Sequence, residues 1–600
     1  MIRTQPKSEA RLQTPIWVKT MKHLMRSLIL MLTTGLAFAG SPKISKDLIN
    51  RNSGELVDVI VQFRDVPGED HHQKVKSKGG FVKAELKQVK GTAYSLPAAA
   101  LESLANDPDV TYITPDRPVK GTLDYANATV GADLALGYGW DGNGVGVAVI
   151  DSGINNVWDL KVGTSNSKTR IVYNQSFLGA KTKSSDEFGH GTHVAGILAG
   201  NGNYSGAVAN SIAVFRGAAP RANLINLRVL DANGAGTDSG VISAIERAIQ
   251  LKSTYNIRVI NLSLGRPVFE SYTQDPLCQA VEQAWKAGLV VIVAAGNGGR
   301  DKSFANDGYA TINSPGNDPY VITVGAMKTM ATLSRADDLI ASYSSKGPSL
   351  LDHVVKPDLV APGNRIISLS ASNSLLRSQS SVNLIPYSYY QNTNSTTTSG
   401  DYYRLSGTSM ATPMVSGAAA LLIQKAPSLT PDQVKARLMK TASKSFPTYS
   451  VATDPVTGVI YSSQYDIFTI GAGYLDIAAA LGNSDLATKP ALSPRAVYNS
   501  TTGNVSIVAG SAAVWGDAAV WGSAAVWGSN VFVNGSAAVW GDAAVWGDAA
   551  VWGDSTSQGF SAVWGDAAVW GSTATSTSTL SASTSIASPE SIKVAIYGEN

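Results

Sequence analysis

Cysteine is all but missing from this chain of 600 residues. Cys278 stands alone, which excludes an intramolecular disulfide. Its neighbours Ala280 and Val281 mark a buried helical position, and no histidine lies in the setting that a cysteine nucleophile needs. Charge is scarce too: 16% of the residues are Asp, Glu, Lys or Arg, the net charge is +3, and no basic cluster occurs. That argues against a nucleic-acid partner. Long apolar runs are also lacking. Residues 27–38 are mostly apolar but too few to span a bilayer well. A short basic stretch, Met21-Lys22-His23-Leu24-Met25-Arg26, precedes them, and Ala37-Phe38-Ala39 follows, just before Gly40. The pattern reads as a secretory signal peptide over residues 1–39, with a membrane anchor as the alternative. The twenty residues before Met21 are long and polar for such a leader, so Met21 is a candidate start. Export without disulfides points to a secreted bacterial protein.

What is present fits a globular chain of more than one domain: 44% apolar residues and 57 glycines, as many turns and close backbone approaches require. Residues 40–122 read as a small α+β domain. Strands are expected at 55–63, 91–95 and 110–116, with a charged, helix-compatible stretch at 70–88 and a short amphipathic helix at 97–106. From about Gly131 short apolar strands alternate with helical segments. Strands fall at 146–150, 224–230, 258–262, 290–295 and 321–325, and helices at 239–251 and 275–287. Continuous apolar strands in such alternation predict an α/β fold with a doubly wound parallel sheet. Sites in such sheets lie beyond the carboxyl ends of strands. Asp151, Ser263 and Asn297 sit at such ends.

Ser406-Gly407-Thr408-Ser409-Met410-Ala411-Thr412-Pro413 runs into a small-residue apolar helix over 414–423, with Pro413 allowed in a first turn. Ser409 then stands at a helix N-terminus, where free N–H groups favour a developing oxyanion. Helix capping is the competing role for a serine there. Two upstream blocks tip the balance: Val147-Ala148-Val149-Ile150-Asp151-Ser152-Gly153 and Gly189-His190-Gly191-Thr192-His193-Val194-Ala195-Gly196. They supply a carboxylate at a strand end and an imidazole that titrates near neutrality. His190 and His193 lack the spacing and the intervening Glu of a zinc-protease pair, and His193 reads as structural. Ser409 lies in Gly-Thr-Ser-Met-Ala, not in the Gly-x-Ser-x-Gly elbow of an esterase.

The three blocks, in the order Asp, His, Ser, resemble the subtilisin-like serine proteases, over roughly residues 45–483. The resemblance implies a serine endopeptidase working through an acyl-enzyme. Asp151 orients, His190 transfers protons, Ser409 attacks, and Asn297 donates to the oxyanion. Ser263-Leu264-Gly265 and Ala294-Ala295-Gly296 match the family's two substrate-lining segments, with Asn313-Ser314-Pro315-Gly316 as a third wall. None of these positions is acidic, so apolar or large uncharged side chains are expected before the scissile bond. No cofactor is required for the chemistry. The resemblance leaves open a structural calcium at Asp159 with the 210–214 loop, although the preceding loop departs from the family's length. Residues 40–122 resemble the family's inhibitory propeptide, with cleavage between about Val119 and Tyr125. The catalytic domain is set at 123–483. Residues 368–400 exceed the compact members and read as a surface loop.

Residues 484–510 read as a linker with some strand character. Over 511–572, Val-Trp-Gly occurs eight times, mostly six residues apart. A stacked β-solenoid and a disordered tail both suit that period. The tryptophan spacing offers contacts to a cell surface or polysaccharide. Residues 573–600 are Ser/Thr-rich, with a last strand expected over 592–597. Protein or peptide substrates and the chain's own propeptide are the other expected partners. The rival reading is a surface-binding protein that uses the Trp repeat and keeps the protease fold as a scaffold.

Overall fold

The structure, a computed structural model, describes residues 41–116, 122–499, 504–508, 531–532 and 589–599, with short gaps inside the first two spans. The signal-peptide reading and nearly all of the Trp-Gly stretch fall outside the described residues. The chain divides into two compact units, residues 1–119 and 120–600.

The first unit is a four-stranded antiparallel sheet. Strands β1 (Leu56–Phe63), β2 (Phe81–Leu86), β3 (Gly91–Pro97) and β4 (Val110–Pro115) lie in the order β2-β3-β1-β4. Val57, Val59, Val61 and Phe63 point alternately into a core shared with Leu101 and Leu104 of the helix Ala100–Ala105. The helix expected over 70–88 is shorter than its sequence promised. It spans Glu69–Lys76, and β2 follows. Gly79 takes a positive φ of 83°, and a Cβ on Gly80 would lie 2.6 Å from Val75 Cγ1. The Gly-Gly turn therefore ends the helix and folds the next residues back onto β3.

The second unit is built on a parallel sheet. Its strands are β5 (Gly146–Asp151), β6 (Ile171–Ser176), β7 (Asn223–Arg228), β8 (Ile257–Leu262), β9 (Val290–Ala294), β10 (Ile322–Lys328), β11 (Leu339–Ile340) and β12 (Leu359–Pro362). The order is β11-β10-β9-β8-β5-β7-β6, with β12 also pairing β10 and only β11 antiparallel. The chain runs outward from β5 to β6, returns through β7 and crosses β5 to reach β8. This reversal opens a crevice at the carboxyl end of β5, where Asp151 sits. Every residue of β5 and of β9 is buried, because helices cover both faces. The helix Thr408–Lys425 packs on the helix His190–Ala199 and over β8, β9 and β10. The helices Asp238–Tyr255 and Pro276–Lys286 pack on one another and cover β8 and β9 from the other side. Asp275 caps the second of these, with Pro276 in its first turn. Cys278 is fully buried there.

Two further segments differ from expectation. Residues 368–400, expected as a surface loop, carry strands. Strands β13 (Ile366–Leu369), β14 (Leu384–Pro386) and β15 (Thr398–Leu405) form a three-stranded antiparallel sheet. Tyr390 and Tyr402 are fully buried and meet Phe215 edge-on, at 5.7 and 4.9 Å between ring centroids. The polar composition concealed this aromatic core. Residues 589–597 form a helix, Pro589–Tyr597, not a strand.

Candidate active site

Three elements converge on one cleft. Asp151 ends β5, His190 opens its helix, and Ser409 lies in the first turn of the helix Thr408–Lys425. Asp151 Oδ1 accepts the His190 Nδ1 proton at 2.7 Å and the Ser152 N–H at 2.7 Å. Among the described residues its buried Oδ2 has no hydrogen-bond partner. The carboxylate charge is thus directed at the imidazole with little solvent to dissipate it. Burial pulls the His190 pKa down. The Asp151 charge, their hydrogen bond and the Asp186 charge push it up, and the net effect is a rise above 6.5.

The approach of His190 to Asp151 depends on Gly191, where a Cβ would fall 2.2 Å from the Gly153 carbonyl oxygen and 3.2 Å from Asp151 Cβ. It depends equally on Asp186, which the sequence reading missed. Asp186 Oδ1 accepts from Gly189 N at 2.6 Å and Ser152 Oγ at 2.8 Å, and its Oδ2 accepts from Thr192 N at 2.8 Å. One buried carboxylate thereby satisfies two N–H groups at the start of the His190 helix and, through Ser152, fixes the Asp151 loop. An acidic residue just before a helix start is the available signal.

Ser409 Oγ donates to the Ser263 carbonyl at 3.0 Å in this structure. A χ1 rotation is needed before it faces His190, in keeping with the looser catalytic geometry of ligand-free sites. Pro413 lies in the second turn of the helix, one turn deeper than expected, and lacks the N–H that would bond the Ser409 carbonyl. Ser263 Oγ takes that place at 2.8 Å, and Asn261 Nδ2 in turn holds Ser263 Oγ at 3.0 Å. Asn297 Oδ1 accepts from Thr408 N at 3.0 Å and Thr408 Oγ1 at 3.1 Å. This fixes the amide so that its N–H groups are left for the cleft.

The cleft encloses about 730 Å³, part of it open to solvent. Ser263, Leu264, Gly265, Ala294, Gly296 and Asn297 line it together with His190 and Ser409. Ala295 does not: it is fully buried, with its N–H on Val324 O and its carbonyl on Asn313 N. Of the expected third wall only Asn313 reaches the cleft, while Ser314 is buried behind it. Phe188, Leu230 and Leu376 add apolar lining, and no lining residue is acidic.

His193 is apart from this chemistry. Its Nε2 donates to the Ile366 and Tyr403 carbonyls at 3.1 and 3.0 Å, pinning the 366–405 sheet to the helix. Burial and the neighbouring His190 push its pKa down to about 3. Cys278 is no nucleophile, because burial drives its pKa up.

The Asp159 carboxylate is engaged by protein donors in this structure. Its Oδ1 accepts from Tyr204 N at 2.7 Å and its Oδ2 from Tyr402 OH at 2.8 Å, while Asn392 N and Tyr390 O hold the 210–214 loop. Burial first of all pushes its pKa up to about 6. Among the described residues, no group of three or more His, Cys, Asp or Glu side chains is placed to hold a metal ion.

A parallel α/β sheet with a serine at a helix N-terminus beside a carboxylate-held histidine defines a serine hydrolase. Residues 142–465 match the subtilase family, and the chain belongs to that family. It is similar to serine protease AprX of Bacillus subtilis, 36% identical over 401 residues, which covers 65% of this chain and 83% of the relative. Subtilisin E of the same organism is 34% identical over 373 residues, covering 62% and 80%. A thermostable alkaline protease of Halalkalibacterium halodurans is 32% identical over 389 residues, covering 64% and 81%. The chain is a subtilisin-like serine endopeptidase, and the scaffold reading is not favoured. Among the described residues no helix is long and apolar enough to cross a membrane.

Proposed function

We propose that this protein is a secreted endopeptidase in which Asp151, His190 and Ser409 cut peptide bonds through an acyl-enzyme. The observation that carries the reading is the 2.7 Å contact of His190 with Asp151 in the cleft that Ser409 and Asn297 also line. Neutral His190 takes the Ser409 proton as the oxygen attacks the scissile carbonyl. Asp151 steadies the imidazolium so formed. Asn297 Nδ2 and the Ser409 N–H hold the oxyanion. His190 returns the proton to the leaving amine, and water then repeats the sequence on the acyl group.

Apolar or large uncharged side chains are preferred before the cut. Leu230, Leu264, Phe188 and Leu376 supply apolar surface there, and the lining lacks the carboxylate a basic side chain needs. The first unit, with its own core, acts as an intramolecular inhibitor released by cleavage between about Val119 and Tyr125.

The test is to express the chain from Gly40 beside a Ser409→Ala form and follow the mass of each with casein present. The wild type loses about 80 N-terminal residues and degrades casein, and the variant does neither. Two intact, inert proteins, unchanged after trypsin nicking near Lys120, would refute the reading. A peptide-library profile led by Arg or Lys would refute the specificity.

A further inference from the structure

The segment 589–599 is separated in sequence from the rest of the second unit by the Trp-Gly stretch, yet it is built into the wall of the cleft. Ala595 lines the same cavity as His190, Asn297 and Ser409. Its carbonyl accepts the Ser406 N–H at 3.0 Å, three residues before Ser409. The Ile596 carbonyl accepts from Asn383 Nδ2 at 2.6 Å, and Val594 is buried.

Glu599 anchors the segment. Its side chain is fully buried, where an unpaired carboxylate is costly. Arg300 Nη2 meets Oε1 at 2.6 Å, Lys328 Nζ meets Oε2 at 3.2 Å, and Ser342 N donates to Oε1 at 2.9 Å. Asn364 reads the Glu599 backbone on both sides, accepting its N–H and donating to its carbonyl, each at 2.9 Å. Gly598, with φ of 61°, passes so close that a Cβ would lie 2.3 Å from Ser406 Oγ. Two cations, the Ser342 N–H and hydroxyl, and an amide that pairs with main chain make a receptor for a glutamate-bearing peptide rather than a casual surface contact.

We propose that Arg300, Lys328, Ser342 and Asn364 form a peptide-binding site beside the catalytic cleft. Its occupant is the chain's own segment 589–599, which while seated restricts the entry of substrate. Glu599 is the latch. The inference rests on the reading of Ser409 as nucleophile.

The experiment uses the full chain carrying Glu599→Gln, which keeps the side chain's shape and removes the charge. Initial casein hydrolysis is compared with the wild type, and a synthetic peptide of residues 589–600 is then added in trans. A fluorescein-labelled copy of the peptide is titrated onto the Glu599→Gln, Ser409→Ala form by anisotropy, which reads docking without catalysis. The expected results are a rise in kcat/KM of at least about 10-fold (~1.4 kcal/mol), inhibition restored by the added peptide, and labelled peptide displaced by casein fragments. A peptide whose glutamate is replaced by glutamine binds at least about 10-fold more weakly. Asn383→Ala, which removes the Ile596 contact without touching Glu599, serves if Glu599→Gln fails to fold, and gives a smaller rise. A folded variant with unchanged kcat/KM that does not bind the peptide overturns the proposal. An inactive chain that still binds the peptide in competition with casein fragments supports it while refuting the catalytic assignment.

Discussion

In the proposed mechanism the imidazole of His190 has to be neutral to accept the Ser409 hydroxyl proton. Its raised pKa means that the protonated, inactive form persists above pH 6.5. The acid limb of kcat/KM against pH is therefore expected above 6.5. A midpoint below that value would contradict the assignment. Asn297→Ala is expected to lower kcat by about 10²- to 10³-fold, the loss measured for such a donor in subtilisin, with little change in KM. Both residues stood out in the sequence because glycines flank them, and a strand end also precedes Asn297. Asp186 and Thr408 did not, because their roles are hydrogen bonds to backbone groups and to Asn297 that only folding brings near.

The Thr408–Lys425 helix shows how one element reconciles an unfavourable residue with its task. An interior proline costs a helix about 3 kcal/mol. Here it frees the Ser409 carbonyl, which Ser263 Oγ then holds at 2.8 Å. Ser263→Ala leaves that carbonyl without its donor, and a loss of about 1–3 kcal/mol is expected in denaturant unfolding. The 366–405 sheet makes a second case at this scale. Tyr402 OH binds Asp159 at 2.8 Å and Ser205 at 2.9 Å. Tyr402→Phe is expected to cost a similar amount. Because both Asp159 oxygens are already engaged, EDTA should shift the unfolding temperature of the wild type and of Asp159→Asn alike. A shift seen in the wild type only would show that a cation binds there.

Beside its large apolar core the second unit carries buried charged clusters. Asp358 is fully buried between Lys356 Nζ at 2.7 Å and Lys435 Nζ at 3.2 Å, and also accepts from Thr323 N. Asp358→Ala leaves two buried lysine side chains without their counter-charge. Loss of about 3–5 kcal/mol is expected, read as a fall in the midpoint of denaturant unfolding. His193 adds a pH dependence. Its folded pKa, about 3, lies below the ordinary 6.5, so the unfolded chain binds the proton more readily between those values. Its contribution is complete above 6.5 and is lost as pH falls toward 3. His193→Gln should flatten that part of the acid unfolding curve.

The sequence by itself determined the class of fold and the candidate site, because both are written locally. Continuous apolar strands report burial on two faces, and Asp151, His190 and Ser409 each sit in a short Gly-rich block that a strand end or helix start requires. What the tertiary structure decided depends on partners distant in the chain. The polar 366–405 stretch became a sheet because its tyrosines found Phe215. Asp159 became a buried hydrogen-bond acceptor because Tyr402 reached it. Glu599 became a buried anchor because Arg300 and Lys328 face it from some 300 and 270 residues away in sequence. Local pattern carries propensity and periodicity, but the desolvation of a charge is decided only by what the fold places opposite it.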